Sequence, residues 1–542
     1  MRLLRTVLIL IAAGIAALWF GARHEAEPQT SLEVDDRSNA VAQGAAAFVS
    51  EDFGGLSLAA LDSHALPWKL VAAALVLDTP DDVPVQVTHD ALRERLNSFG
   101  FLAEPRILNL PNGVQQRPSG RPFGMTYGVI EPVAGATLQV SNLGCAACHA
   151  GVTYDETGAP LPGTVWLGMP NTSLNLEAYT LAVTSALRAG LADPDRLLEA
   201  VATLFPETMW REAQTLRWLV LPLVRSRLEN LASGRPLPFP NGVPGSTNGV
   251  AALKHALGLP LLGGGPGDAG IVSIPDLGHR HWKTSLLTDG AYAVPGRPRQ
   301  FAMGQAEATT DHLAALAEIT TFFTVPSMGV APEDASEALP QAMEIYAFLS
   351  NGYHPQPFPG TLDEEIARRG AEVYESECSA CHGSHDTTSG APRLTQLPNW
   401  IGDVGTDALR VDAFDDALVA SFDRGAYANR ISALNTDKYV APPLTGIWAS
   451  APYLHNGSVP TIAELLSPNE RPVTFEVGGH ALDFERLGLR HNAGNYPVGY
   501  TPFSDPVVFD TREPGKENTG HAFGASLPPE DKRALIEFLK QL

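Results

Sequence analysis

The stretch SNLGCAACHAG (141–151) places Cys145, Cys148 and His149 within five residues, and ESECSACHGSH (375–385) repeats the arrangement with Cys378, Cys381 and His382. The chain has four cysteines, so every thiol it owns is used in this one pattern. Two thiols at that spacing can add to the two vinyl groups of one haem. The adjacent imidazole then falls under the ring and binds the iron from the proximal side. A zinc ribbon would need both pairs close together, and a redox CxxC needs no following His. The reading is a protein with two covalently bound haem c groups, held by Cys145, Cys148, Cys378 and Cys381, with His149 and His382 as iron ligands.

The chain of 542 residues is too long for one small cytochrome fold and suggests more than one domain. Its formal charge of −23 argues against nucleic acid and anionic membrane surfaces as partners. An acidic surface would suit a basic exported electron donor protein, though a simply solvated surface is an equal reading. Arg2 and Arg5 precede an apolar run from Thr6 to Ala22, near the lower limit for spanning a bilayer. We favour an uncleaved membrane segment over 1–26 with the body in the periplasm; the rival is a cleaved signal peptide and a secreted body.

The expected fold class is mainly α with long irregular loops, comprising two cytochrome c-like haem domains behind the N-terminal membrane segment. Polar, alanine-rich residues 27–60 read as a linker. A first haem domain is expected over 61–350, a Pro/Gly-rich linker over 351–360, and a second haem domain over 361–542. Helical periodicity runs through 172–191, 193–205, 209–232, 309–323 and 334–350. A helix leads into the second motif, and LPPEDKRALIEFLKQL (527–542) closes the chain with another, opened by Pro529, Glu530 and Asp531.

The sixth ligand decides between carrier and catalyst. No Met follows the second motif, so its iron must look to His385, His455, His480, His491, His521, Tyr439 or Lys438. His385 is too near the attachment helix. His521, on a loop just before the terminal helix, is the choice. For the first iron, Met169, His255, His279 and His281 are weak candidates, and the economical reading leaves that iron open.

The blocks YVAPPLTGIWASAPYLHNGSVPTIAELL (439–466), LGCAACHAG (143–151), GMPNTSLNLEAY (168–179), ARRGAEVYESECSACHG (367–383) and GHAFG (520–524) resemble the bacterial dihaem cytochrome c peroxidase superfamily. Their form is similar to its RoxA-like, rubber oxygenase-like branch. The resemblance implies that the haem at His149 binds oxygen or peroxide, and that the second haem is bis-His through His382 and His521. It further implies a Trp between the haems, for which Trp282 is the candidate, and an apolar oxygen-pocket residue, for which Phe301 is the candidate. Ca²⁺ between the domains is common in peroxidase members, but the sequence places no ligands for it. His455 reads as structural. The expected function is a peroxidase-like oxidoreductase, with catalysis at the first haem and electrons relayed by the second. The alternatives are a haem dioxygenase cleaving an unsaturated hydrocarbon, with room for its pocket near the 259–270 loop, and a plain membrane-anchored dihaem electron carrier. Residues 305–307 supply candidate acid/base groups for peroxide cleavage.

Overall fold

The computed structural model describes residues 32–542, apart from 58, 63–64, 80–84, 118–120, 232–236, 262–269, 389 and 493. Two helix pairs frame it. Helix Ala40–Ser50 crosses helix Leu339–Asn351, and helix Glu364–Glu377 crosses helix Pro529–Leu539. Both crossings are closed by a glycine. A Cβ on Gly44 would lie 1.9 Å from the Glu344 carbonyl oxygen, and one on Gly370 would lie 1.9 Å from that of Ala534. In each pair an aromatic four residues on packs beside the crossing. Phe48 meets Phe348, and Tyr374 meets Phe538, with ring centres 5.9 Å and 5.2 Å apart. The segments GAAAF (44–48) and GAEVY (370–374) are thus one device used twice.

The expected linker over 27–60 therefore contains a buried helix, Ala40–Ser50. Asn39 caps it by accepting from the Val41 and Ala42 amides, and small residues let it lie close against its partner. The mainly α expectation also gives way. The described residues are 38% helical and 17% strand, a mixed fold. The strands missed from the sequence flank the first motif. Met125–Val133 pairs antiparallel with Ala136–Leu143 through a tight turn at Gly135, and Ala150–Tyr154 pairs antiparallel with Pro160–Leu167. In MTYGVIEPV the first three residues are buried, and from Gly128 part-buried and exposed positions alternate, as in a strand with one face toward solvent.

The expected helices are present at Leu176–Gly190, Pro194–Leu204, Thr310–Ser327 and Leu339–Asn351; 210–229 is helical throughout but loosens into a π turn at Leu216–Val220. The largest hydrophobic core draws Phe48, Val165 and Phe348 together with Tyr374, Trp448 and Leu535, so one interior is shared by both halves of the chain. The expected membrane segment, 1–26, lies outside the described residues. Among the described residues no helix is long and apolar enough to cross a membrane.

Candidate functional site: two motif turns and the segment between them

The first motif turn, Cys145–Cys148, leaves strand Ala136–Leu143 through Gly144 and enters strand Ala150–Tyr154. Asn171 braces it. Its amide donates to the Cys148 carbonyl at 2.8 Å, and its side-chain nitrogen donates to the carbonyls of Ala147 and Gly100, both at 3.2 Å. The second turn, Ser379–His382, follows directly on helix Glu364–Glu377. That helix is capped by Asp363 and has Glu364 and Glu365 in its first turn, where the helix dipole favours them.

Each motif histidine is oriented by a proline carbonyl. His149 Nδ1 lies 3.1 Å from the Pro275 oxygen, and His382 Nδ1 lies 2.8 Å from the Pro442 oxygen. A carbonyl can only accept, so Nδ1 carries the proton and Nε2 keeps its lone pair for a metal. Burial holds both imidazoles neutral, their pKa lowered to about 4, with the Arg280 charge adding to the effect at His149. Neutral imidazole is the form that ligates iron. The thiols are all free, and burial pushes Cys145 up to about 11 and Cys148 and Cys378 up to about 12. Protonated, desolvated thiols do not suit thiolate redox cycling.

Opposite His382 stands His521, its ring centre 6.2 Å from that of His382 and its plane turned by 54°. Two iron–imidazole bonds of about 2 Å, with each ring centre about 1 Å farther out, would separate an axial pair by about 6 Å. The loop presenting His521 is left-handed at that residue, with φ 45°. The His521 amide donates to the Val404 carbonyl, and Arg471 donates to the carbonyls of Gly520, Leu465 and His521 at 2.9, 3.1 and 3.3 Å. Arg471 was not found in the sequence, because its partners are main-chain oxygens.

The competing ligands are occupied elsewhere. His385 packs against Tyr374 and Phe538, His480 meets Thr172, and His491 meets Glu464. Tyr439 donates to the Asp407 carbonyl at 2.6 Å, so His455 Nε2, 3.1 Å from the Tyr439 hydroxyl oxygen, must donate to it. Lys438 is exposed. On the first turn, no described imidazole or aromatic ring stacks opposite His149. Met169 lies in the hydrophobic core, His255 packs on Phe239, and His279 hydrogen-bonds Thr445.

Trp282 is buried in the short Arg280–Trp282 turn, edge-on to His279 and His281, and its indole N–H has no partner among the described residues. Buried Asn399 donates to the carbonyls of both Trp282 and Phe301, at 2.9 and 3.0 Å, drawing the two candidate residues together. The Phe301 side chain, however, is 47% exposed. Gln305 and Glu307 are also exposed, and Glu307 is turned back onto the Gly304 amide. Among the described residues no group of three or more His, Cys, Asp or Glu could hold a metal ion such as Ca²⁺. The core of the 259–270 loop, 262–269, lies outside the described residues.

The donor set fits haem c: paired thiols, a tautomer-fixed imidazole beside each pair, and orphaned buried nitrogens on Trp282, His281 and His521. Residues 438–476 match a RoxA-like, cytochrome c-like family model. Two relatives from Sinorhizobium fredii, the uncharacterized proteins y4iJ and y4iM, are 31% identical over 257 residues and 30% identical over 207 residues. These matches cover 35% and 33% of this chain, and the chain spans only 42% and 45% of those relatives. A RoxA-like cytochrome c-like domain implies haem c, and it is consistent with an extracytoplasmic location.

Proposed function

We propose an exported dihaem c-type cytochrome that acts as a peroxidase-like oxidoreductase, with catalysis at the N-terminal haem and electron transfer through the C-terminal one. One observation carries the reading: both motif histidines are oriented alike, but among the described residues only His382 is faced by a second imidazole. That asymmetry separates a reactive centre from a relay, because a filled sixth position blocks ligand exchange. It stands against a plain carrier, in which both positions would be filled.

Cys145, Cys148 and His149 would hold one haem, and Cys378, Cys381, His382 and His521 the other. Haem so held supplies reduction of peroxide or O₂ at an open iron position. The chain's own part is to fix both proximal imidazoles through Pro275 and Pro442, to keep them neutral by burial, and to place Trp282 in the segment that reaches both turns. The two crossed helix pairs support one cytochrome unit around each motif. The acidic charge would suit a basic exported donor protein. The RoxA-like match at 438–476 favours a second reading, a dioxygenase acting on an unsaturated hydrocarbon.

Pyridine haemochrome analysis should return two covalent haems, and electron paramagnetic resonance one high-spin and one low-spin ferric centre. Two low-spin centres would leave only the carrier. Peroxide turnover against oxidative cleavage of an isoprenoid then divides the two enzymes.

A further inference from the structure

The segment Pro275–Lys283 touches the surroundings of both motif turns. At one end the Pro275 carbonyl orients His149, and the Leu277 amide donates to the Gly168 carbonyl. At the other, His279 is bonded at 2.7 Å to Thr445, three residues beyond the Pro442 that orients His382. The turn carries two cations, Arg280 and Lys283, on either side of Trp282. The Arg280 charge acts on Cys145 and His149, and the Lys283 charge acts on His382. The Arg280 charge also acts on Lys283.

Neither cation is in an ion pair among the described residues, in a chain with 60 acidic residues. Elsewhere in this protein the buried cations Lys69, Lys254 and Arg410 each hold a carboxylate, on Glu212, Asp415 and Asp289. Beside the two free cations, the Trp282 indole N–H and His281 Nδ1 are buried without partners. Half-buried unpaired charge beside buried, orphaned ring nitrogens in one turn forms a site for carboxylates, since leaving the ring nitrogens unmatched would cost desolvation with no return. Haem c carries two propionates on the edge away from its thioethers.

Resting on the dihaem reading above, we propose that this turn is the carboxylate-binding edge of both groups. Arg280 pairs with a propionate of the haem anchored at Cys145 and Cys148, and Lys283 with one of the haem anchored at Cys378 and Cys381. Both are binding and positioning residues. Removing either cation leaves a propionate charge uncompensated, which favours ferric over ferrous iron at that haem alone.

The test is spectroelectrochemical titration of the holoprotein and of Arg280→Gln and Lys283→Gln, with the haem count taken on the same samples. Arg280→Gln should lower the reduction equilibrium constant of the first haem about tenfold, or about 59 mV for one electron, and leave the second nearly unchanged. Lys283→Gln should do the reverse, and Arg280→Lys and Lys283→Arg should restore each value. With two haems present, potentials that do not move, or that move equally at both haems, overturn this assignment and leave the dihaem reading intact. A count other than two overturns the dihaem reading itself.

Discussion

His382 and His521 face each other across a gap the size of one ligated iron, 6.2 Å between ring centres. His382 is held from helix Glu364–Glu377, and His521 from a loop more than a hundred residues later. Replacing His521 with Ala should therefore leave thioether attachment untouched while opening one coordination position. The expected result is two covalent haems with the low-spin ferric signal replaced by a second high-spin one. A low-spin signal that persists would show that another side chain fills the position.

Arg471 should act on the same bond from a distance, because its guanidinium gathers the carbonyls of Leu465, Gly520 and His521 and fixes the loop. Hydrogen bonds from a charged donor contribute about 1.5–3 kcal/mol. Arg471→Gln should lower stability by about 2 kcal/mol and make the second haem bind carbon monoxide faster when reduced, as loop opening becomes more frequent. Measured rebinding kinetics equal to the parent's would remove Arg471 from the role of positioning residue.

The two motif turns stand out in the sequence because thioether chemistry demands contiguous residues, and the proposal for His521 starts from elimination along the sequence, which leaves few competitors. What was hidden is carried by the main chain. The Pro275 and Pro442 carbonyls that set both tautomers have no side-chain signature, and neither does the ring of acceptors around Arg471. Asn399, which ties Trp282 to the backbone at Phe301, lies more than a hundred residues from Trp282 and reads in the sequence as an ordinary turn residue. The strands around Cys145 were missed because their alternation is brief. Helix Ala40–Ser50 was missed because a run of alanines reads as polar linker until the matching GAxxF and GAxxY segments are set side by side.

Those segments make a prediction about stability. A methyl group added at Gly44 or Gly370 would sit 1.9 Å from a carbonyl oxygen of the partner helix, Glu344 or Ala534. Alanine favours a helix over glycine by about 1 kcal/mol, whereas overpacking a tight contact costs about 1–3 kcal/mol. Because the obstructing atom is main chain in both cases, the clash should win. Gly44→Ala and Gly370→Ala should each destabilise the holoprotein by about 2 kcal/mol in denaturant unfolding. A stabilised variant would mean that the helices part at no cost.

Asp276 lies next to the carbonyl that orients His149 and should set a pH dependence. Its carboxyl accepts from the Tyr353 hydroxyl at 2.8 and 2.9 Å and from the Gly278 amide at 2.6 Å, yet burial outweighs these bonds and raises its pKa from 3.8 to about 7. Between those two values the folded protein holds a proton that the unfolded chain has released. Stability from this group is therefore full below about pH 4 and is lost as pH rises through about 7, by no more than about 4 kcal/mol. Asp276→Asn keeps an acceptor for Tyr353 and Gly278 but cannot ionise. Its unfolding free energy should vary less between pH 4 and 7 than that of the parent, with the largest gain over the parent at pH 7 and above. If the two pH profiles run parallel, Asp276 is ionised in the folded protein across this range and burial does not govern it.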